Sequence, residues 1–192
     1  MRVLFITYEL PPVGGGGGRA AWQIARRLAA GRHEVVILTS YFRGLAEEEV
    51  RDGVRIRRIH VGRRQADRCP PSELFKFIWG SRRAAVHIAD DLRPHVTCGF
   101  FAIPGGPAAY RLRRARGVPY VLALRGSDIP RPELARHQRL HLVTRPFIRR
   151  YLRKAARVTA VSDALKDAAQ VLAPDFLRQR IVEKLAVQAG IA

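Results

Sequence analysis

Cysteine is almost missing from this chain. The two present, Cys69 and Cys98, stand alone with no CxxC or Cys/His spacing, which excludes a disulfide framework and a zinc site and leaves a reducing compartment as the simpler setting. Acidic residues are also scarce, with Lys+Arg 35 against Asp+Glu 16 and a formal net charge of +19 over 192 residues. Such an excess attracts polyanions: nucleic acid, anionic lipid headgroups or phosphorylated ligands. Lysine is rarer still, 4 residues against 31 arginines. A genome favouring arginine codons would produce part of that bias, so the charge alone does not choose a partner. No apolar run approaches 18 residues, and the N-terminal Val3-Leu4-Phe5-Ile6 is too short for a signal-peptide core. The expected location is cytoplasmic, soluble or peripheral on the cytoplasmic membrane face.

What is present is enough for a sizeable core, since 47% of the residues are hydrophobic. Val3 to Thr7 reads as a strand buried on both faces, followed by Pro11, Pro12, a flexible loop and five glycines, Gly14 to Gly18. From Arg19 the apolar spacing becomes helical (Ala21, Ile24, Ala25, Leu28, Ala29) and ends at Gly31, after which Glu34 to Thr39 is a second strand. That unit is the crossover of a parallel sheet, and the alternation continues. Val54 to Val61 reads as an edge-like strand, Leu74 to Leu92 as a helix, His95 to Phe101 as a strand, and Gly106 to Arg116 as a helix closed by Gly117. Tyr120 to Leu124 is a strand, Glu133 to Ala156 a helix that Pro146 should break or kink, Arg157 to Val161 a strand, and Asp163 to about Ala173 a helix. The expectation is a doubly wound, Rossmann-like α/β domain over residues 1–175, with at least six strands, followed by a tail or the start of an interdomain connection over 176–192.

Ligands of such sheets bind beyond the carboxyl ends of the strands, which directs attention to three loops. In the first, Gly15, Gly16, Gly17, Gly18 and Arg19 open a helix. Glycine there lets the backbone approach a ligand and aims free N–H groups at a phosphate or sugar oxygen. A dinucleotide fingerprint is opposed by the two prolines before the glycines and by Leu38-Thr39-Ser40-Tyr41, which carries no acid for a ribose hydroxyl. The second loop, Arg125-Gly126-Ser127-Asp128, sets a cation and a carboxylate at a strand end, suited to holding a phosphate and accepting from hydroxyls, although Asp128 equally suits a turn cap. The third places Ser162 as an N-cap and Lys166 in the first turn, where a cation opposes the helix dipole.

In this order and spacing the pieces resemble the N-terminal, acceptor-side domain of family 4 glycosyltransferases of GT-B architecture. The likeness is carried by the proline- and glycine-rich first loop with Arg19-Ala20-Ala21, and by Leu28-Ala29-Ala30-Gly31-Arg32-His33-Glu34-Val35-Val36-Ile37-Leu38-Thr39. It continues through Arg93-Pro94-His95-Val96, Arg116-Gly117-Val118-Pro119-Tyr120-Val121, Arg125-Gly126-Ser127-Asp128 and Ala160-Val161-Ser162. The resemblance implies transfer of a sugar from a nucleotide-sugar donor, UDP- or GDP-linked, to a glycan or lipid-linked acceptor, with retention of configuration, no metal and no further cofactor. It implies Gly16 and Gly17 near the donor phosphates or the acceptor, and Arg125 and Asp128 facing the cleft in a catalytic role. The family often has His where this chain has Arg125, which cannot accept a proton, so that role becomes electrostatic. The resemblance also implies a donor-binding C-terminal domain, supplied in cis or in trans. This chain alone would hold half an active site, with little or no transferase activity.

The segment from Arg136 to Arg157 is strongly basic and amphipathic, which suits an anionic membrane surface. It equally suits a core-facing apolar stripe with a solvated basic back. Two rivals to the transferase reading are a non-catalytic sugar- or nucleotide-binding module and a basic nucleic-acid-binding protein. The second lacks any helix-turn-helix, zinc-finger, RRM or KH signature, so no specific nucleic acid is expected.

Overall fold

The fold was obtained as a computed structural model, which describes residues 1–126, 129, 138–173 and 181–183. In chain order the elements are β1 (Arg2–Ile6), α1 (Gly16–Ala30), β2 (Glu34–Ser40), β3 (Glu48–Arg51), β4 (Val54–Ile59), α2 (Pro71–Leu92), β5 (Val96–Phe100) and a π-helical turn (Phe101–Gly105). Then come α3 (Gly106–Arg116), β6 (Tyr120–Leu124), α4 (Gln138–Lys154), β7 (Arg157–Ala160), α5 (Asp163–Leu172) and β8 (Ile181–Glu183). The strands form one sheet in the order β3-β4-β2-β1-β5-β6-β7-β8. Every pairing is parallel except that of the edge strand β3 with β4.

The sheet separates two cores, as strand alternation requires. On one side Leu4, Ile6, Val36, Leu38, Leu122 and Leu124 meet buried residues of α2, α3, α4 and α5. On the other Val3, Phe5, Val35, Ile37 and Ile56 meet Ala21 and Ala25 of α1. Small residues on that face of α1 let the helix sit close to the strands. The chain leaves β1 for β2 across one face and reaches β5 through α2 on the other, so the order reverses between β1 and β5. That reversal opens a crevice at the strands' carboxyl ends, the usual ligand position of a doubly wound sheet.

Four expectations need correction. Helix α1 starts at Gly16 rather than Arg19, because backbone amides there find an internal acceptor. The strand from Val54 is not an edge: the hairpin strand β3 covers it, and Arg55, Arg57 and Arg58 pair with Glu34, Glu48 and Glu49. Pro146 lies inside α4 without ending it, and the burial of Ile148 and Leu152 on the following turns holds the helix to the sheet. Finally, Ile181–Glu183, placed in a tail by the sequence, adds β8 beside β7.

Candidate functional site

The loop after β1 is not slack. Glu9 is buried at 6% exposure, and its carboxylate accepts from the Gly15 amide at 3.0 Å and the Gly18 amide at 2.9 Å. Two of the orphan donors at the start of α1 are thereby satisfied by charge-assisted bonds, each contributing about 1.5–3 kcal/mol. A negative charge at this end also suits the helix dipole. The polypeptide is anchored elsewhere too: the Gly14 amide donates to the Ala66 carbonyl at 2.7 Å, and Arg51 of β3 donates to the Pro11 carbonyl at 3.3 Å while stacking over Trp22 at 4.0 Å.

Arg63, in the loop after β4, closes the arrangement from the side of β2. It is 8% exposed and donates to the carbonyls of Tyr8 (2.9 Å), Gln65 (3.1 Å) and Ala66 (3.1 Å) and to the Ser40 hydroxyl (3.2 Å). Its guanidinium also lies 5.6 Å from the centre of the Tyr8 ring. Burial and the neighbouring Glu9 charge push the Tyr8 phenol well above its ordinary value, so it remains protonated at neutral pH.

With Gly15 and Gly18 engaged from below, the Gly16 and Gly17 amides have no partner among the described residues. Gly16 is exposed, and a side chain there would meet open space. Gly17 differs, since a Cβ would strike the Phe101 ring and the Glu9 carboxylate. The glycine turn thus carries unpaired donors at a helix N-terminus, an arrangement that can receive a phosphate or a sugar oxygen.

Phe100 and Phe101, at the end of β5, link this turn to the next strand. Phe101 packs against Gly17 and lies 5.3 Å from the Tyr8 ring, while the Arg125 guanidinium sits 4.7 Å over the Phe100 ring. Phe101 has a φ of +66°, a conformation disfavoured for an aromatic residue, and it turns the chain sharply beside the crevice. Arg125 is half-buried at the carboxyl end of β6, on the same side of the sheet as α1, and Gly126 follows with a φ of +127° that favours glycine.

The predicted residues therefore fall into groups. Gly15 to Gly18 form one built turn, and Arg125 joins them through Phe100 and Phe101. Arg19 points into solvent from the first turn of α1. Ser127 and Asp128 lie outside the described residues. Ser162 caps α5, its Oγ accepting from the Leu165 amide at 3.3 Å, and the Lys166 amide bonds the Ser162 carbonyl at 3.0 Å. Those two sit at the end of β7, two strands along from the crevice. Among the described residues no group of three or more His, Cys, Asp or Glu could hold a metal. Sequence reasoning overlooked Glu9 and Arg63. The available signal was a carboxylate two residues past a fully buried run and directly before the Pro-Gly loop.

Comparison with solved structures shows that the fold recurs in other proteins. The chain is similar to sucrose-phosphate synthase from Thermosynechococcus elongatus (16% identity, TM-score 0.74, covering 94% of this chain and 47% of that one). It is also similar to MurG from Acinetobacter baumannii (14%, 0.53, 95% and 45%) and to UDP-GlcNAc 2-epimerase from Neisseria meningitidis (9%, 0.56, 95% and 45%). It thus spans about half the length of these proteins. No curated protein matches its sequence. The profile of the glycosyl transferase 4-like domain matches residues 15–183, most of the chain. The chain belongs to that glycosyl transferase 4-like family, as an N-terminal domain of GT-B fold.

Proposed function

We propose that the chain is the acceptor-side half of a glycosyltransferase that moves a sugar from a UDP- or GDP-linked donor to a glycan or lipid-linked acceptor. The reaction proceeds with retention and without a metal or other cofactor. The observation that carries this reading is the glycine turn at the β1/β5 crevice, where Glu9 holds the start of α1 through Gly15 and Gly18 and the Gly16 and Gly17 amides have no partner among the described residues. Charge that develops on a departing diphosphate would meet donors already oriented, with no reorganisation at the moment of reaction. Arg125 adds a fixed positive charge at the neighbouring strand end. Ser127 and Asp128, which follow Gly126 in sequence, are assigned to the acceptor; Arg19 on the first turn of α1 and Ser162 and Lys166 at the start of α5 are assigned to more distant contacts with substrate. The second domain, in cis or in trans, supplies most contacts to the nucleotide, and the protein works in the cytoplasm, peripherally on the membrane where its acceptor is lipid-linked.

The test is sugar transfer from labelled UDP- and GDP-sugars into a lipid and glycan extract, by this chain alone and with a donor-binding domain supplied. Transfer only in the second case is expected. Efficient turnover by this chain alone would overturn the half-site reading. No transfer in either case, with retained binding of oligosaccharide, would favour the non-catalytic sugar-binding module, a reading to which Arg125 lends support because a guanidinium cannot act as a base.

A further inference from the structure

Helix α2 starts on two prolines, and that opening leaves one of its side chains stranded. Glu73 stands at the third position of the helix, from which a glutamate ordinarily reaches back to the N–H of the N-cap residue. Here the N-cap is Pro70 and the next residue is Pro71, neither of which has an N–H. Glu73 is nonetheless turned inward: it is 4% exposed, and its Oε2 is buried with no hydrogen-bond partner. Lys76, one turn along, is exposed and sets its ammonium near Gly62. Among the described residues no other carboxylate oxygen is both buried and unpartnered.

Burying a carboxylate without a donor opposes folding, and the dipole at the start of α2 offsets only part of that penalty. A group held against stability in this way is expected where function uses it. Its position agrees. Helix α2 leaves the loop that follows the carboxyl end of β4, the same loop from which Arg63 donates to the Tyr8 carbonyl at 2.9 Å. Burial pushes the Cys69 thiol up, and Arg63, Glu73 and Glu9 all lie within electrostatic reach of it. The Tyr8 phenol, raised by burial, lies within the same reach of Glu9, Cys69 and Arg63. The Tyr8 ring in turn packs on Phe101, the residue against Gly17. Glu73 thus belongs to the side chains gathered at the end of β1, beside the glycine turn.

We infer that Glu73 is a specificity-determining residue of an acceptor subsite beside Tyr8, its carboxylate accepting from a hydroxyl of a neutral pyranoside. The surrounding charges select that chemistry. A phosphate would meet Glu9 and Glu73, and an ammonium would meet the buried Arg63. A sugar brings neutral donors for the carboxylate and an apolar C–H face for the aromatic ring. That the sugar is an acceptor rests on the proposed transferase function; the contact itself needs no transfer.

Two measurements on the full 192-residue chain test this. The first is thermal unfolding of Glu73→Gln and Glu73→Leu. Both should be at least as stable as the unaltered chain, and Glu73→Leu should raise the midpoint by about 2–4 °C, because an unpaired buried charge is removed. The second is an NMR saturation-transfer titration with the methyl glycosides of glucose, galactose, mannose and N-acetylglucosamine. At least one should bind, and Glu73→Gln should weaken it by about tenfold to a hundredfold, the range of a hydrogen bond to a charged group. Asp67→Asn removes the same charge from an exposed position of the neighbouring loop and should leave binding unchanged. Lowered midpoints in both Glu73 variants would make Glu73 a structural residue and overturn the proposal. So would the absence of binding by all four glycosides, equal loss in Asp67→Asn, or tighter binding of methyl glucosaminide than of methyl glucoside. Failure of the transferase reading looks different. Glycoside binding that depends on Glu73, with no transfer when a donor-binding domain is supplied, would sink that reading and keep the subsite. Transfer with an acceptor KM indifferent to Glu73→Gln would do the reverse.

Discussion

Glu9→Ala removes the acceptor of two amides at the start of α1 and leaves the buried Gly18 amide without a partner, so it should destabilise the chain by about 2–4 kcal/mol in urea unfolding. The glycines on either side of that carboxylate are not equivalent. Gly17→Ala drives a methyl into Phe101 and Glu9 and should cost about 1–3 kcal/mol, whereas Gly16→Ala meets open space and should change stability by no more than about 0.5 kcal/mol. If Gly17→Ala proved as silent as Gly16→Ala, the turn would be looser than its contacts imply. Alkaline pH probes other buried residues. Burial pushes the Cys98 thiol up to about 12 and raises the phenols of Tyr8, Tyr120 and Tyr151. In each case the fold favours the neutral form, so the unfolded chain ionises first. Their contribution is therefore complete below about pH 9 and is lost as pH rises toward 12. Unfolding midpoints compared at neutral and strongly alkaline pH should fall accordingly. Tyr120→Phe should lessen that fall while lowering stability at neutral pH, since the Tyr120 hydroxyl donates to the Tyr151 carbonyl at 2.6 Å.

Among the elements, the buried strands were legible because their apolar runs have no other use, and α1, α2, α3 and α5 because their spacing and end residues agree. Strand β3 was not. Glu48-Glu49-Val50-Arg51 offers one apolar residue, itself 70% exposed, and pairs through charge across an antiparallel ladder rather than through the core. The glycine turn was legible as a candidate, but what makes it a built site was not, because neither Glu9 nor Arg63 belongs to any periodic pattern. Arg63 shows how such a residue acts at this scale: one side chain gathers carbonyls from the end of β1 and from its own loop. Arg63→Gln cannot reach all of them, and the carbonyls left behind should cost about 2–4 kcal/mol. Trypsin should then cut after Arg64 or Arg68 faster than in the unaltered chain. Unchanged cleavage with lowered global stability would mean that Arg63 serves the core and not the loop.

For the whole molecule the dominant quantity is the net charge of +19. The exposed ion pairs Arg55 with Glu34, Arg57 with Glu48 and Arg116 with Asp90 contribute little to stability, and salt weakens them. Repulsion among the remaining cations acts in the opposite direction, since folding brings like charges together, and salt weakens that as well. The two effects can be weighed by magnitude. The acids number 16 and most of the 35 basic residues cannot be paired with them, so repulsion should prevail. Raising sodium chloride from about 10 mM to about 150 mM shortens the screening length from about 30 Å to about 8 Å, which spans the distance between helices on one face. The thermal midpoint should therefore rise, each kcal/mol gained appearing as about 2–4 °C in a chain of this size. Chloride is the appropriate salt, because phosphate or sulfate binds arginine directly and would stabilise by binding rather than by screening. A midpoint that falls with sodium chloride would show that the ion pairs along β3 and β4, with Arg58 and Glu49 at their buried end, outweigh the surplus charge.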